Sequence, residues 1–312
     1  MQIVEVGPRD GLQNETAPIP TAAKIAFINA LSLSGVGEIE VTAFVSPRWV
    51  PQLSDAADVL AGITRQPGVV YSALVPNRQG LEQALAAQVD KVSVFTAVSE
   101  TFNHKNIDTT IEGSIRRFQP VVAQARDAGL FVRGYVSTAF WCAFEGKIKP
   151  QAVLDLVDRL VDIGIDEVAI SDTIGKATPD EVKRLLDLLT KRLPASRIAG
   201  HFHDTYGRGV DNVLAAWAAG IRTIDASVGG LGGCPYAPGA SGNVATDDVV
   251  AALEKQGIAT GVDRQRLAEA FDILRPFRID DRRTLPADGS PACATCQFST
   301  GTVCCKRYQA GN

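Results

Sequence analysis

The sequence predicts a (β/α)8 barrel, the TIM-barrel fold, followed by an irregular C-terminal extension. Short apolar or β-branched runs alternate with longer segments whose apolar residues recur at helical spacing, from residue 3 to about residue 255. This alternation is typical of parallel strands joined by helices. Eight such units over about 250 residues fit a closed barrel better than an open doubly wound sheet, which stays the structural alternative.

The predicted elements follow one another in strict alternation. The strands are placed at 3–6, 38–44, 69–75, 91–97, 131–138, 167–171, 197–203 and 223–228, and the helices at 20–34, 55–63, 78–88, 109–128, 150–163, 179–193, 208–219 and 246–255. Thr178 and Pro179 are typical of a helix start, and Thr246 precedes acidic residues at another. Gly129 and Gly220 end helices before the next strand. These boundary residues support the count of eight units.

The alternating pattern ends at Arg275, after which prolines, glycines and serines accumulate. We therefore predict a catalytic barrel domain at 1–275 and an irregular tail at 276–312. The tail holds four of the six cysteines, Cys293, Cys296, Cys304 and Cys305. A zinc or redox site there is an open alternative, but loosely ordered thiols are the favoured interpretation.

Composition excludes several classes of function. The net charge of −4 is spread along the chain, so no basic stripe exists for nucleic acid or anionic lipid. No apolar run reaches the roughly 18 to 20 residues of a membrane span. Met1 leads almost directly into a predicted strand without a targeting segment. We expect a cytoplasmic protein that binds neither nucleic acid nor membrane.

Polar residues accumulate where the predicted strands end, and in a parallel barrel these ends gather at one mouth. His201 and His203 are the sharpest signal, because alternate residues of a strand share a face and two imidazoles can bind one cation. Packing through hydrogen bonds is the alternative for an isolated pair. Asp10 and Asn243 complete a mixed nitrogen and oxygen set that suits Mg²⁺ or Mn²⁺.

Four further residues at the predicted mouth carry alternative interpretations. Arg9 either forms an internal ion pair with Asp10 or stabilises negative charge on a carbonyl oxygen. Glu40 and Asp172 are charges within strand-like segments, and they either transfer protons or hold Arg9 and the histidines in place. Cys234 lies in a glycine-rich loop as either a small buried residue or a proton donor.

The glycines around Cys234 leave a rival function open. Loops after the last two strands of a barrel often cradle a phosphate, as in phosphosugar isomerases. A non-enzymatic metal-binding or scaffold protein that uses the cysteine-rich tail is a third class.

Five separated blocks resemble the hydroxymethylglutaryl-CoA lyase family, which lies within the wider metal-dependent lyase and aldolase barrel superfamily. They are Val6–Glu15, Glu40–Gln52, Ser171–Gly175, His201–Gly207 and Gly230–Asn243, and the resemblance covers the chain to about residue 275. Arg-Asp-Gly with His-x-His alone is found across the superfamily, whereas the combination of blocks is specific.

The resemblance implies divalent-metal-dependent retro-Claisen cleavage of (S)-3-hydroxy-3-methylglutaryl-CoA to acetoacetate and acetyl-CoA. It implies that Asp10, His201, His203 and Asn243 bind the cation, that Arg9 stabilises the thioester oxygen, and that Cys234 is the catalytic thiol. Gln13 and Thr173 are expected to contact the acyl-CoA substrate together with Arg9. We also expect a homo-oligomer, with a dimer as the first expectation.

The segment Ser137–Lys147 departs from the family at Trp141 and Ala143. These residues precede the Glu-Gly-Lys that the family shares, in the loop after the fifth strand. A related lyase or aldolase that acts on another hydroxyacyl-CoA or hydroxy-oxoacid is therefore the alternative for the substrate.

Overall fold

Eight parallel strands close a barrel in the computed structural model, which describes residues 1–13, 15, 17–232 and 242–277. The barrel strands are β1 (Gln2–Glu5), β2 (Glu38–Ala43), β3 (Val70–Leu74), β4 (Lys91–Ala97), β5 (Phe131–Ser137), β8 (Glu167–Asp172), β9 (Ile198–Phe202) and β10 (Thr223–Ala226), and a two-stranded hairpin of β6 (Trp141–Cys142) and β7 (Gly146–Lys147) follows β5. Around the barrel the order is β1, β10, β9, β8, β5, β4, β3, β2. The predicted barrel is confirmed, and the open sheet was the wrong alternative.

Helices follow the strands on the outside of the barrel. They are α1 (Thr21–Ser32), α2 (Ala56–Gly62), α3 (Arg78–Ala86), α4 (Glu100–Ile107), α5 (Ile111–Asp127), α6 (Pro150–Asp162), α7 (Pro179–Leu189), α8 (Gly209–Ala218), α9 (Thr246–Lys255) and α10 (Arg264–Asp272). The start of α7 is a capping box in which Thr178 and Glu181 satisfy each other's backbone N–H groups. No helix of the described residues is long and apolar enough to cross a membrane.

Two helices and the hairpin were not predicted. Helix α4 is short and begins at the Ser99 side chain, which accepts a hydrogen bond from the Phe102 N–H. Helix α10 is capped by Asp263 and packs against α1. Neither helix fits the alternation of one helix per strand, because α4 precedes α5 within the same unit and α10 follows the eighth unit. The proposed boundary near residue 275 stays a prediction, since the chain beyond residue 277 lies outside the described residues.

The barrel strands are buried on both sides. Their outer side chains form the main apolar core with the helices, and Phe27, Ile39 and Leu81 are among its fully buried members. Charged side chains lie inside the barrel, and they are paired with one another: Lys91 contacts Glu38 and Glu167, and Arg133 contacts Glu167 and Asp225. Pairing of this kind offsets part of the cost of removing charges from water.

Candidate active site

Strand β9 delivers two imidazoles to the barrel mouth. His201 lies within the strand and His203 directly beyond its end, so the period of two sends both rings to one face, with their centroids 5.4 Å apart. Burial and the neighbouring His201 lower the pKa of His203 to about 3, so this ring is neutral near pH 7. Its buried Nδ1 has no hydrogen-bond partner among the described residues. The ring therefore offers an unused lone pair.

The loop after β1 brings Asp10 to the two rings. Residues Gly7–Gly11 form a π-helical turn, and each of Asp10, His201 and His203 offers one ligand atom within 4.8 Å of the others. Burial alone would raise the pKa of Asp10, but Arg9 and the two histidines lower it to about 2. Asp10 is therefore a carboxylate at neutral pH, as a cation ligand requires.

Asn243 completes the group. It pairs with His203 in an isolated β-bridge, and its amide nitrogen donates to Asp10 Oδ2 at 2.8 Å and to the Leu231 carbonyl at 3.2 Å. Both amide hydrogens are used, so the amide oxygen is the atom that remains for a cation. Gly232 has a φ of +99°, and a Cβ there would lie 2.8 Å from the Asn243 amide nitrogen, so the position strongly favours glycine.

These four residues fit a hard divalent cation. A carboxylate oxygen, an amide oxygen and two imidazole nitrogens suit Mg²⁺ or Mn²⁺, and the set lacks the thiolates of a structural zinc site. The unpartnered Nδ1 of His203 is independent support, because a buried ring nitrogen is seldom left without a hydrogen-bond partner. The structure thus brings together the four residues that the sequence singled out for a metal.

Arg9 lies beside this group and is held by two carboxylates. Its Nε and Nη2 each lie 2.6 Å from Glu40 Oε2, and its Nη1 lies 2.6 Å from Asp10 Oδ1. The ring of Tyr135 lies under the guanidinium, 5.5 Å away. A guanidinium carries five N–H donors. The contacts among described residues use three, so one N–H on each terminal nitrogen remains for a ligand.

Glu40 is an anchor for Arg9. It is 1% exposed, and besides Arg9 it accepts hydrogen bonds from Ser93 at 2.7 Å and from Tyr135 at 3.3 Å. Four donors on one carboxylate occupy its oxygens and fix its position. The geometry therefore favours the holding role over direct proton transfer.

Asp172 does not bond to Arg9 or to the histidines in the described contacts. Its oxygens accept the N–H groups of Lys176 and Ala177 at 3.1 and 2.9 Å, which fold the loop after β8. Burial raises the pKa of Asp172 to about 7. Thr173 lies in the same loop and accepts the Thr138 N–H at 2.7 Å, which joins this loop to the one after β5.

Gln13 lines a surface cavity of about 240 Å³ beside the loop that follows β2. Trp49, Val50 and Gln52 line the same cavity, and Trp49 is 81% exposed. Cys234 lies outside the described residues, so its proposed role stays a prediction.

Asp225 is a site residue that the sequence reasoning missed. Its Oδ2 lies 3.2 Å from His201 Nδ1, and this hydrogen bond raises the pKa of His201 although burial opposes the charged form. The signal was present, because Asp225 is a charge inside a predicted strand, as Glu40 is. A search for charged residues inside predicted strands would also have found Arg133 on the fifth strand.

Glu5 is the second missed residue and joins three segments beneath the mouth. Its Oε1 accepts the Gly7 and Val228 N–H groups, both at 2.9 Å, and its Oε2 accepts the Thr246 hydroxyl at 2.6 Å. Burial raises the pKa of Glu5 from 4.5 to about 7, and these hydrogen bonds oppose the rise only in part. Glu5 thus positions the turn that carries Asp10.

We expect Glu5→Gln to change how stability depends on pH. Because the pKa of Glu5 is higher in the folded state, its contribution to the free energy of unfolding is fully present below pH 4.5. That contribution is lost as pH rises through about 7. Glutamine has nearly the same shape, keeps both acceptor contacts at Oε1 and does not ionise. The free energy of unfolding of the variant, relative to wild type, should rise by about 3 kcal/mol between pH 4 and pH 8, measured by urea denaturation. An equal difference at both pH values would contradict this expectation.

Comparison with known proteins gives a consistent result. The HMGL-like family model matches residues 1–274. The chain is 50% identical over 274 residues to "3-hydroxy-3-methylglutaryl-CoA lyase, cytoplasmic" of Rattus norvegicus, covering 88% of this chain and 80% of that protein. It is 49% identical over 274 residues to the mitochondrial hydroxymethylglutaryl-CoA lyase of the same organism, covering 88% of this chain and 84% of the relative.

A solved structure shares the fold. The HMG-CoA lyase of Brucella melitensis superposes with a TM-score of 0.87 at 50% identity, over 89% of this chain and 99% of that one.

Proposed function

The chain belongs to the HMGL-like family, and we propose that it cleaves (S)-3-hydroxy-3-methylglutaryl-CoA to acetoacetate and acetyl-CoA with a divalent cation, Mg²⁺ or Mn²⁺. The observation that carries the proposal is the convergence of Asp10, His201 and His203 on one point beside Arg9. A chelating hydroxy-acyl substrate needs a cation for its oxygens and a permanent cationic donor for its thioester. The relatives named for this reaction support the same substrate.

The reaction breaks one carbon–carbon bond. The C3 hydroxyl loses its proton, the C3–O bond becomes the ketone of acetoacetate, and the electrons of the C2–C3 bond move to the thioester as the enolate of acetyl-CoA. A proton then adds to C2 and gives acetyl-CoA. Asp10, His201, His203 and Asn243 would hold the divalent cation, which would supply the positive charge that lowers the pKa of the C3 hydroxyl.

Arg9 stabilises the charge that forms on the thioester oxygen. Its two remaining N–H donors lie in one plane, and Glu40 and Asp10 hold that plane in place. Charge stabilisation by a donor held in advance is effective because no reorganisation is needed during the reaction. Cys234 is the proposed donor of the proton that C2 receives, which is the role that the family resemblance implies.

The group that removes the hydroxyl proton is Asp10 or a water that it contacts. A pKa of about 2 makes Asp10 a weak base. Glu40 and Asp172 are positioning residues in this proposal, Glu40 for Arg9 and Asp172 for the loop after β8. Gln13 and Thr173 are proposed to contact the acyl-CoA at the edge of the mouth.

Two wider aspects of the function are proposals. We propose a homo-oligomer, with a dimer as the first expectation. We propose the cytoplasm as the location, which the name of one Rattus norvegicus relative supports, although the other relative is a mitochondrial form.

The test of the reaction is a coupled assay for acetoacetate with (S)-3-hydroxy-3-methylglutaryl-CoA. We expect turnover with Mg²⁺ or Mn²⁺ and its loss with EDTA, because the cation is required to lower the hydroxyl pKa. Restored turnover on adding back the metal controls for unfolding by the chelator. No acetoacetate under metal-replete conditions would remove this substrate and favour a lyase for another hydroxyacyl-CoA or hydroxy-oxoacid.

A further inference from the structure

A continuous line of buried ionic contacts runs through the barrel interior to His201. It consists of Glu38, Lys91, Glu167, Arg133 and Asp225, which we call the internal ion chain. Successive contacts measure 2.9 Å between Glu38 and Lys91, 3.1 Å between Lys91 and Glu167, 2.6 Å between Glu167 and Arg133, and 2.7 Å between Arg133 and Asp225. All five residues are at most 7% exposed. None of them belongs to the four residues proposed to hold the cation.

The last link is set by strand register. Asp225 of β10 and His201 of β9 are direct partners across parallel strands, so their side chains enter the barrel side by side. Arg133 is on β5, which is not adjacent to β10, and its side chain crosses the interior to reach Asp225. A register shift of one residue would turn the Asp225 carboxylate to the outer face. The contact is therefore part of the barrel's construction.

Charge alternates along the internal ion chain. Three carboxylates alternate with two cations, and the carboxylate at one end of the line, Asp225, faces His201. A carboxylate can only accept, so Nδ1 of His201 must be the donor in the contact with Asp225 Oδ2. The lone pair of the neutral ring then lies on Nε2, which is the nitrogen that lies 4.0 Å from Asp10 Oδ2.

We infer that Asp225, held by Arg133 and the rest of the internal ion chain, is a positioning residue that keeps the lone pair of His201 on Nε2 for the cation. This role rests on the metal site in the proposed function and adds a residue to it. Outer partners that fix the tautomer of a metal-binding histidine are commonly worth 10- to 100-fold in metal affinity.

Asp225→Asn is the sharpest single test, because an amide can accept through only one of its two terminal atoms. Arg133 is a donor at every nitrogen, so the amide oxygen must turn to Arg133 and the NH₂ group to His201. Nδ1 would then accept, and the proton would move to Nε2. We expect Mn²⁺ affinity, measured by electron paramagnetic resonance, to fall by about 10- to 100-fold.

The tautomer can be observed directly in metal-free protein. The chain has three histidines, so the ¹⁵N-histidine NMR spectrum is simple. At a pH where the ring is neutral, we expect the protonated nitrogen of His201 to be Nδ1 in wild type and Nε2 in Asp225→Asn. The same tautomer in both proteins would overturn the inference.

Two double variants remove the charges of both Asp225 and Arg133. They keep the test valid if the single variant does not fold. In Asp225→Asn/Arg133→Met the amide oxygen is released to accept from His201, whereas Asp225→Leu/Arg133→Met has the same charge and no acceptor. We expect the asparagine double variant to recover most of the Mn²⁺ affinity and the leucine one to remain about 10- to 100-fold weaker. Equal affinity in the two double variants would overturn the role of the acceptor.

Asp166→Asn is the matched control. Asp166 also joins an arginine to another donor, since it accepts from Arg126 at 3.3 Å and from the Val132 N–H at 2.9 Å, but it touches no histidine. Mn²⁺ affinity should be unchanged in this variant.

The readouts need no substrate. Metal binding without cleavage would overturn the proposed substrate alone, and equal affinity in wild type and Asp225→Asn would overturn the role of Asp225 alone.

Discussion

Arg9→Lys is expected to lower kcat by about 100- to 1,000-fold, because it removes donors aimed at the charge that forms on the thioester oxygen. Lysine keeps the positive charge as one compact ammonium and cannot reproduce the planar fork. Glu40 and Asp10 already bind three of the N–H groups of Arg9, and an ammonium has three in total. Two of those contacts go to the same oxygen, Glu40 Oε2, so an ammonium that bonds to both carboxylates keeps at most one N–H for the substrate, where Arg9 keeps two.

The metal site should remain in the Arg9→Lys variant. Asp10 keeps a cationic neighbour and its hydrogen bond from Asn243, so Mn²⁺ affinity should change little. The loss should therefore appear in kcat at saturating metal, measured by the acetoacetate assay. Comparable turnover in variant and wild type would argue against charge stabilisation by Arg9.

Arg65→Lys is a matched control for this substitution. Arg65 also lies over a tyrosine ring, 5.4 Å from the centroid of Tyr71, and it also pairs with a carboxylate, Asp90, at 3.4 Å. It differs from Arg9 in being on the outer side of the barrel, partly exposed to solvent. We expect turnover of this variant to match wild type.

His203→Ala is expected to weaken Mn²⁺ binding by more than about 100-fold, since even an outer partner of a metal ligand is worth 10- to 100-fold. Nδ1 of His203 is buried and has no hydrogen-bond partner among the described residues. Removal of the ring therefore breaks no internal hydrogen bond at that nitrogen. Turnover at fixed low Mn²⁺ should fall in parallel. Isothermal titration with Mn²⁺ measures the affinity without substrate.

The third histidine supplies the control for His203. His104 lies on α4, is exposed, and is absent from the metal group, so His104→Ala should keep wild-type affinity. His203→Gln retains a polar side chain if the alanine variant is unstable. Tight Mn²⁺ binding in folded His203→Ala or His203→Gln would contradict the proposed ligand set.

The barrel was predictable because hydrophobic periodicity acts locally. Strands buried on both faces are short continuous apolar runs, and the helices between them are amphipathic, so each unit is visible in its own segment. The elements that were missed, α4, α10 and the hairpin of β6 and β7, are short and depend on caps and neighbours. A local pattern of apolar residues does not identify them.

The convergence of the four proposed cation ligands was predictable for a related reason. His201 and His203 share a face by the period of two, and the barrel sends strand ends to one mouth, so Asp10 and Asn243 could be placed beside them from topology alone. Proton transfer by Asp172 stays a prediction. Its oxygens accept two loop N–H groups, and this depends on how the loop after β8 folds.

By itself, the sequence determined the barrel class, the residues gathered at its mouth and the family to which they belong. Only the tertiary structure decided which hydrogen-bonding atoms of those residues are occupied by other protein groups. Strand register places Asp225 against His201, and the internal ion chain crosses the barrel between strands that are distant in sequence. Hydrogen-bond partners at such separations depend on three-dimensional packing, because side chains from different strands meet only after the sheet closes.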